Sequence, residues 1–171
     1  AVGLKPGINN AAVDHFRIRV HGKSTHVSTP HLGVDALYIA SQIVVAVQGL
    51  VTRRTSPTEP VIIGIGKLNA GTTYNAVAAF AEMEGTTRTI SQESRDRVRA
   101  QVSETAQSIA ALYGGTAEIE WTDFAAALVN DPQVCEEAAR VVDELLGAGH
   151  VVTDRELSLS GDNFAEFELY K

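Results

Sequence analysis

The stretch Asp14-His-Phe-Arg-Ile-Arg-Val20 decides the fold. Phe16, Ile18 and Val20 recur at every second position, and His15, Arg17, Arg19 and His21 fill the places between them. Successive side chains of an extended segment point to opposite faces, so this is a half-buried strand with one wet face. Residues 22–33 then form a polar loop holding His26, Pro30 and His31. Residues 34–54 carry a helical pattern with no internal proline, ended by Pro57 and Pro60. Its apolar residues, from Val34 and Leu37 through Val44 and Val45 to Leu50 and Val51, spread beyond a single stripe. That spread predicts two packing partners, its own sheet and a second surface.

Residues 61–68 are a β-branched run closed by a turn at Asn69-Ala-Gly71, and residues 75–89 alternate again. Ser91 is a good N-cap for a second helix reaching Tyr113, with Gly114-Gly115 as its stop. Its expected core stripe is Val98, Val102, Ala106, Ile109 and Leu112. Residues 116–121 alternate as a further strand. The order strand, helix, strand, strand, helix, strand over residues 14–124 predicts an α+β fold, a ferredoxin-like βαββαβ two-layer sandwich. Asn130-Asp131-Pro132 opens a third helix over residues 133–146, and residues 151–153 suggest a short strand. This last part is too small for a core of its own, and reads as a short C-terminal α/β stub.

Fourteen Lys and Arg against 21 Asp and Glu leave a net charge of −7. Such a balance argues against nucleic acid and against an anionic membrane surface as partners. The densest basic stretch, Arg95, Arg97 and Arg99 among Glu93 and Asp96, reads as a solvated helix face. The single cysteine, Cys135, allows no internal disulfide and reads as a small buried apolar group. No apolar run reaches the roughly 18 residues of a membrane span, and no leader pattern opens the sequence, so a cytoplasmic setting is expected.

Four of the five histidines fall between residues 15 and 31. His15 and His21 lie roughly 20 Å apart along one strand and cannot share a metal. His26 and His31 have no carboxylate or cysteine close in sequence. Glu136-Glu137 points in two directions and, with Asp131, suits the start of a helix. Gly64-Ile-Gly66 lacks the third glycine of a phosphate loop. Composition and spacing leave the reaction open.

Longer blocks carry more. The segment running from Phe16-Arg-Ile-Arg-Val-His-Gly-Lys-Ser-Thr-His26 to Pro30-His-Leu-Gly-Val-Asp35 resembles the lid-domain opening of the metal-dependent aminoacylase/carboxypeptidase family. Within that family it resembles the hippurate hydrolase and auxin-conjugate hydrolase branch. Residues 48–60, residues 64–71 leading to Thr73-Tyr-Asn-Ala-Val77, and Glu82-Met-Glu-Gly-Thr-Thr-Arg-Thr89 agree in order. Gly161-Asp-Asn-Phe-Ala165 is similar to a motif of the returning catalytic domain. Ser24-Thr25 stands where the family has Gly-Gly, Ala76-Val-Ala78 where it has Val-Ile-Pro, and Asp162-Asn163 where it has Glu-Asp.

The resemblance implies a linker at residues 1–13 from a missing catalytic half, a lid and dimerisation domain at 14–124, and an incomplete catalytic piece at 125–171. It implies that His26 stabilises an oxyanion, within or across subunits, and that Asn75 is a second polar contact there. Arg88 would hold a substrate carboxylate. It also implies a homodimer through helix 34–51 and strand 61–68, and an N-acyl amino acid or small peptide-like amide as substrate. The parent enzyme would carry two divalent ions (zinc, manganese or cobalt), with no metal ligands in this chain and no turnover by it alone. The alternative is a stand-alone ferredoxin-like module for interaction or small-ligand binding.

Overall fold

The computed structural model describes residues 1–168. Two short strands, β1 (Val2–Gly3) and β2 (Gly7–Asn10), lead into β3 (Ala12–His21), the alternating strand. Helix α1 (Ala36–Arg54), strands β4 (Ile62–Ala70) and β5 (Phe80–Thr89), helix α2 (Gln92–Leu112) and strand β6 (Thr116–Ala125) complete the βαββαβ order. The four long strands form one antiparallel sheet in the order β4-β5-β3-β6, with β4 and β6 as its edges. This is the ferredoxin-like α+β sandwich.

One face of the sheet is apolar because β3 and β5 are in phase. Phe16, Ile18 and Val20 are fully buried with Ala81 and Met83, under Ile39, Ile43 and Val47 of α1 and Val98 and Val102 of α2. Phe16 fits because its cross-strand partner is Gly85. A Cβ at Gly85 would stand 2.3 Å from the Phe16 ring and 2.5 Å from the Gly64 carbonyl, so only glycine allows this approach. The Phe16 ring also packs on Trp121, with centroids 5.2 Å apart.

Four differences from the sequence pattern bear on how the elements pack. Helix α1 starts at Ala36 rather than residue 34, because the Asp35 carboxylate accepts hydrogen bonds from the amides of Leu37 and Tyr38 at 3.0 and 3.2 Å. Strand β5 begins at Phe80, since residues 75–77 turn to pair with the polar loop. The buried stripe of α2 ends on Ala110, and Leu112 is 74% exposed. The tight return through Gly114-Gly115 passes under Ala110, whose carbonyl accepts from the Gly115 amide at 2.8 Å, and leaves Leu112 outside.

The fourth difference is chemical. The arginine row on α2 is not a solvated face. Arg95 is only 6% exposed, and its Nε and Nη2 grip the carboxylate of Asp14 at distances down to 2.6 Å. Arg99 joins the same carboxylate and bridges to Asp123 of β6. Thr87 adds a hydroxyl at 3.4 Å. Burial by itself pushes the Asp14 carboxyl up, but the bonds and charges of Arg95 and Arg99 outweigh it and hold it below its ordinary value. Arg97 pairs instead with Glu59, which also accepts from Ser94 at 2.6 Å and so ties the α1–β4 connection to α2.

Beyond β6, strand β7 (Leu128–Asn130), helix α3 (Pro132–Leu146), strand β8 (Val151–Val152) and the one-turn helix α4 (Ala165–Glu168) follow. β1 pairs with β8 and β2 with β7, so the segments on either side of the sandwich are joined to each other. Cys135 is buried within this smaller layer, as expected of a small apolar group.

Candidate functional site

The polar loop is zipped at its base by Lys23 and Val34, whose amides and carbonyls exchange hydrogen bonds at 2.8 and 2.9 Å. Inside it, His26, Ser28 and Thr29 make a tight turn closed by the Thr29 amide on the His26 carbonyl at 2.9 Å. Among the described residues no residue other than glycine has a positive φ. Ser24 and Thr25 therefore hold their places in the loop without left-handed backbone.

The His26 ring is exposed. Its Nδ1 lies 2.7 Å from the Ser28 hydroxyl and 3.2 Å from the Ser28 amide. A backbone N–H can only donate, so Nδ1 is an acceptor and the neutral ring carries its proton on Nε2. The imidazole thus presents an N–H donor outward.

Asn75 is brought alongside it. His26 bridges to Ala76, the Val27 amide donates to the Asn75 carbonyl at 3.2 Å, and the Val77 amide donates to the Thr25 carbonyl at 2.8 Å. The Asn75 Oδ1 accepts from the Thr73 hydroxyl at 3.2 Å, which leaves the Nδ2 amide as the group's donor. A cleft of about 350 Å³ is lined by Val27, Tyr74 and Ala76, the chain neighbours of His26 and Asn75, with Asp35, Leu37 and Thr73, and neither His26 nor Asn75 lines it. Tyr74 is 95% exposed.

Arg88 is elsewhere. It sits near the end of β5, paired with Val13 and Ile62, while Phe80 at the other end pairs with His21. Eight steps of about 3.3 Å put roughly 26 Å of strand between the two ends. The Arg88 Nη1 donates to the Thr86 hydroxyl at 2.6 Å and to the Thr87 carbonyl at 3.1 Å. Gly161 packs so closely on Val13 that a Cβ would stand 2.5 Å from its side chain, so the Gly161-Asp-Asn-Phe-Ala165 motif lies at the Arg88 end. Asp162 is used locally and accepts from the Phe164 amide at 2.9 Å.

Between these ends, the outer face of the sheet is a ladder of ion pairs. Glu82 binds Arg19 at 3.1 Å, Glu120 binds Arg19 at 2.7 Å, and Glu84 binds Lys67 at 2.7 Å and His15 at 3.1 Å. The Lys67 ammonium, with help from His15 and Arg17, holds the Glu84 carboxyl down to about 2. His21 has its own partner, Glu118, at 3.7 Å. Among the described residues no three His, Cys, Asp or Glu side chains converge to hold a metal ion, so the donor set present does not fit a metal pair.

Sequence matching picked out His26, Asn75 and Arg88 but could not place them. The structure brings the first two together and separates the third. It adds Asp14, which no motif marked, and a contact for Thr86, which lies in the matched block beside Arg88.

The two-layer sandwich carries the polar loop pair towards one end of its sheet and Arg88 towards the other. The comparisons give its family. A family described as the peptidase dimerisation domain matches residues 10–114, and the chain belongs to that M20 peptidase family. The chain is 34% identical over 166 residues to N-acetyl-L-cysteine deacetylase of Bacillus subtilis, covering 97% of itself and 39% of that protein. It is 32% identical over 158 residues to thermostable carboxypeptidase 1 of Saccharolobus solfataricus, covering 92% of itself and 39% of that protein. Among solved structures it superimposes on the YXEP protein of Bacillus subtilis, a dinuclear metal binding peptidase of the M20 family. That match has a TM-score of 0.78 and 30% identity, over 98% of this chain and 40% of the other. The chain therefore spans about two-fifths of the length of these relatives.

Proposed function

We propose that this chain is the lid and dimerisation part of a metal-dependent amidohydrolase that cleaves N-acyl amino acids or small peptide-like amides. Two divalent ions (zinc, manganese or cobalt) would be held by parts of the protein outside this chain and would supply the activated water. The named activities of the relatives, an N-acetyl-L-cysteine deacetylase and a carboxypeptidase, support the substrate class.

In this reading the His26 Nε2–H and the Asn75 amide are donors placed where negative charge develops on the scissile oxygen. The Arg88 guanidinium forks the substrate carboxylate. The length of β5 carries the arrangement: Arg88 and Phe80 stand about 26 Å apart along the strand, and the segments holding His26 and Asn75 join at the Phe80 end, so one small amide would not reach both ends of one chain. Two copies resolve this, with Arg88 from one subunit and His26 and Asn75 from its partner meeting on one substrate.

The edge strand β4 and the neighbouring face of α1 suit that pairing. Among the described residues β4 is an edge strand, it exposes Ile62 and Leu68, and Val45 of α1 is 70% exposed. Gln48 of α1 reaches over to the Ile63 carbonyl at 3.3 Å, so helix and edge form one surface. Such an edge and apolar face are ordinarily covered in a native assembly.

The test is subunit complementation in the full-length, metal-loaded protein. H26A and R88A should each be nearly inactive alone. Mixed in equal amounts and allowed to exchange subunits fully, they should regain about a quarter of wild-type activity, because about half of the dimers are then mixed and each has one of its two composite sites intact. No recovery on mixing, with exchange verified, would place His26 and Arg88 in the same site of one subunit. Val45→Glu should shift the sedimentation profile toward monomer and lower activity with it.

A further inference from the structure

We propose that Thr86 is a positioning residue that holds Arg88 ready for a carboxylate. The inference rests on the reading of Arg88 as the carboxylate-binding residue.

An arginine at a strand end has a long, freely rotating side chain, and ordering it on substrate binding costs affinity. Here it is ordered beforehand. Thr86 and Arg88 are two residues apart and share the outer face of β5, so the arginine can fold back over its neighbour. Its Nη1 reaches the Thr86 hydroxyl at 2.6 Å. That hydroxyl has one hydrogen, and it is given to the Asp14 carbonyl on β3 at 2.7 Å. Towards Arg88 the oxygen therefore offers only lone pairs, which is what a guanidinium N–H requires.

The far end of this relay is anchored. Asp14 is almost fully buried, and its carboxylate is fixed by Arg95 and Arg99 from α2. Its backbone carbonyl consequently has little freedom, and neither has the hydroxyl bound to it. The chain of contacts runs from the helical layer through the sheet to the guanidinium.

The geometry also selects which edge of Arg88 is offered. With Nη1 occupied by Thr86 and the Thr87 carbonyl, Nε and Nη2 make no hydrogen bond among the described residues. Those two nitrogens form one bidentate edge. It is the edge with which Arg95 holds the Asp14 carboxylate in this same molecule, through Nε at 3.0 Å and Nη2 at 2.6 Å. Thr86 thus presents to substrate the same fork that Arg95 presents to an internal carboxylate.

Two substitutions isolate the hydroxyl. Thr86→Val keeps the shape and strand preference, and Thr86→Ser restores the hydroxyl. In the full-length metal-loaded enzyme, kcat/KM is compared for an N-acyl amino acid and its carboxamide analogue, which lacks the negative charge. T86V should raise KM for the free acid by about tenfold, the scale of one charge-assisted contact. It should leave the carboxamide within about twofold, and T86S should return to near wild type. Arg88→Gln is the control: if it too preserves the preference for the free acid, the Arg88 reading fails. If R88Q abolishes the preference and T86V does not, Arg88 stands and the role of Thr86 is overturned.

A second arm needs no turnover. In the 171-residue chain, the Arg88 guanidinium resonances in NMR report rotation about its Nε–Cζ bond. Slow rotation in the wild type, faster in T86V and slow again in T86S, is the expected result. Rotation unchanged in T86V would show that the hydroxyl does not hold the group.

Discussion

The sheet carries ion pairs on both faces, and they are different kinds of object. On the inner face one carboxylate, Asp14, is shared by Arg95 and Arg99 under the helical layer. On the outer face, Glu82, Glu84, Glu118 and Glu120 pair with arginines, a lysine and histidines in contact with water. A buried pair costs much to break, because the partner left behind is a desolvated charge. An exposed pair is screened, and its loss is largely made good by water. The largest effect should therefore come from Asp14→Ala, a loss of about 3–5 kcal/mol in denaturant unfolding. A loss under about 1 kcal/mol would mean that water reaches the inner cluster, and the distinction between the faces would collapse.

The comparison can be sharpened by removing the charges together. Asp14→Leu with Arg95→Met replaces a paired site by apolar volume, while Arg99 keeps Asp123. The double variant should be more stable than D14A alone, since the Arg95 guanidinium is no longer left buried without its carboxylate. Additive losses in a double-mutant cycle would show that Asp14 and Arg95 do not act as a unit.

Acid should discriminate the faces as well. The folded-state Asp14 carboxyl is depressed, so its contribution is whole above the unfolded value of about 3.9 and fades as pH falls through the lower folded value. Stability measured from pH 7 downward should bend below about pH 4 in the wild type. The same curve for Asp14→Asn should start lower and bend less. An equal bend in D14N would assign the acid limb to other carboxylates.

Much of the sandwich is legible in the sequence because its signals are local. Alternation at Phe16, Ile18 and Val20, the Ser91 cap and the Gly114-Gly115 stop each act within a few residues, and each appears in the structure. Asp14 escapes such a reading for an instructive reason. A polar residue at a strand's start looks like an exposed end, yet Asp14 is in phase with Phe16 and so points inward. Arg95 and Arg99 likewise flank Val98 and Val102 on the inward side of α2. Two opposite charges in the buried phase of neighbouring elements are the available signal. The nearness of His26 and Asn75 is not legible at all. It arises from residues 22–27 pairing with residues 75–79, an irregular long-range contact with no periodicity to read.

The smallest expected effect belongs to Glu84. Its carboxyl is held down to about 2 by Lys67, His15 and Arg17, yet it lies on the open face. A depressed carboxyl contributes stability above its ordinary value near 4.5, lost as pH falls toward about 2. The solvent exposure of its surroundings decides how much that matters: salt and water screen all three partners. Glu84→Gln should therefore leave the unfolding midpoint at pH 7 close to wild type, and high salt should erase what difference exists. Arg17 and Arg19 retain Glu82 when Glu84 is neutralised, so the ladder does not unravel from this position. An E84Q midpoint lowered as far as that of D14A would mean that the outer face is covered in solution. The partner copy proposed at the β4 edge would then be the first surface to examine, because Lys67 lies on that edge strand.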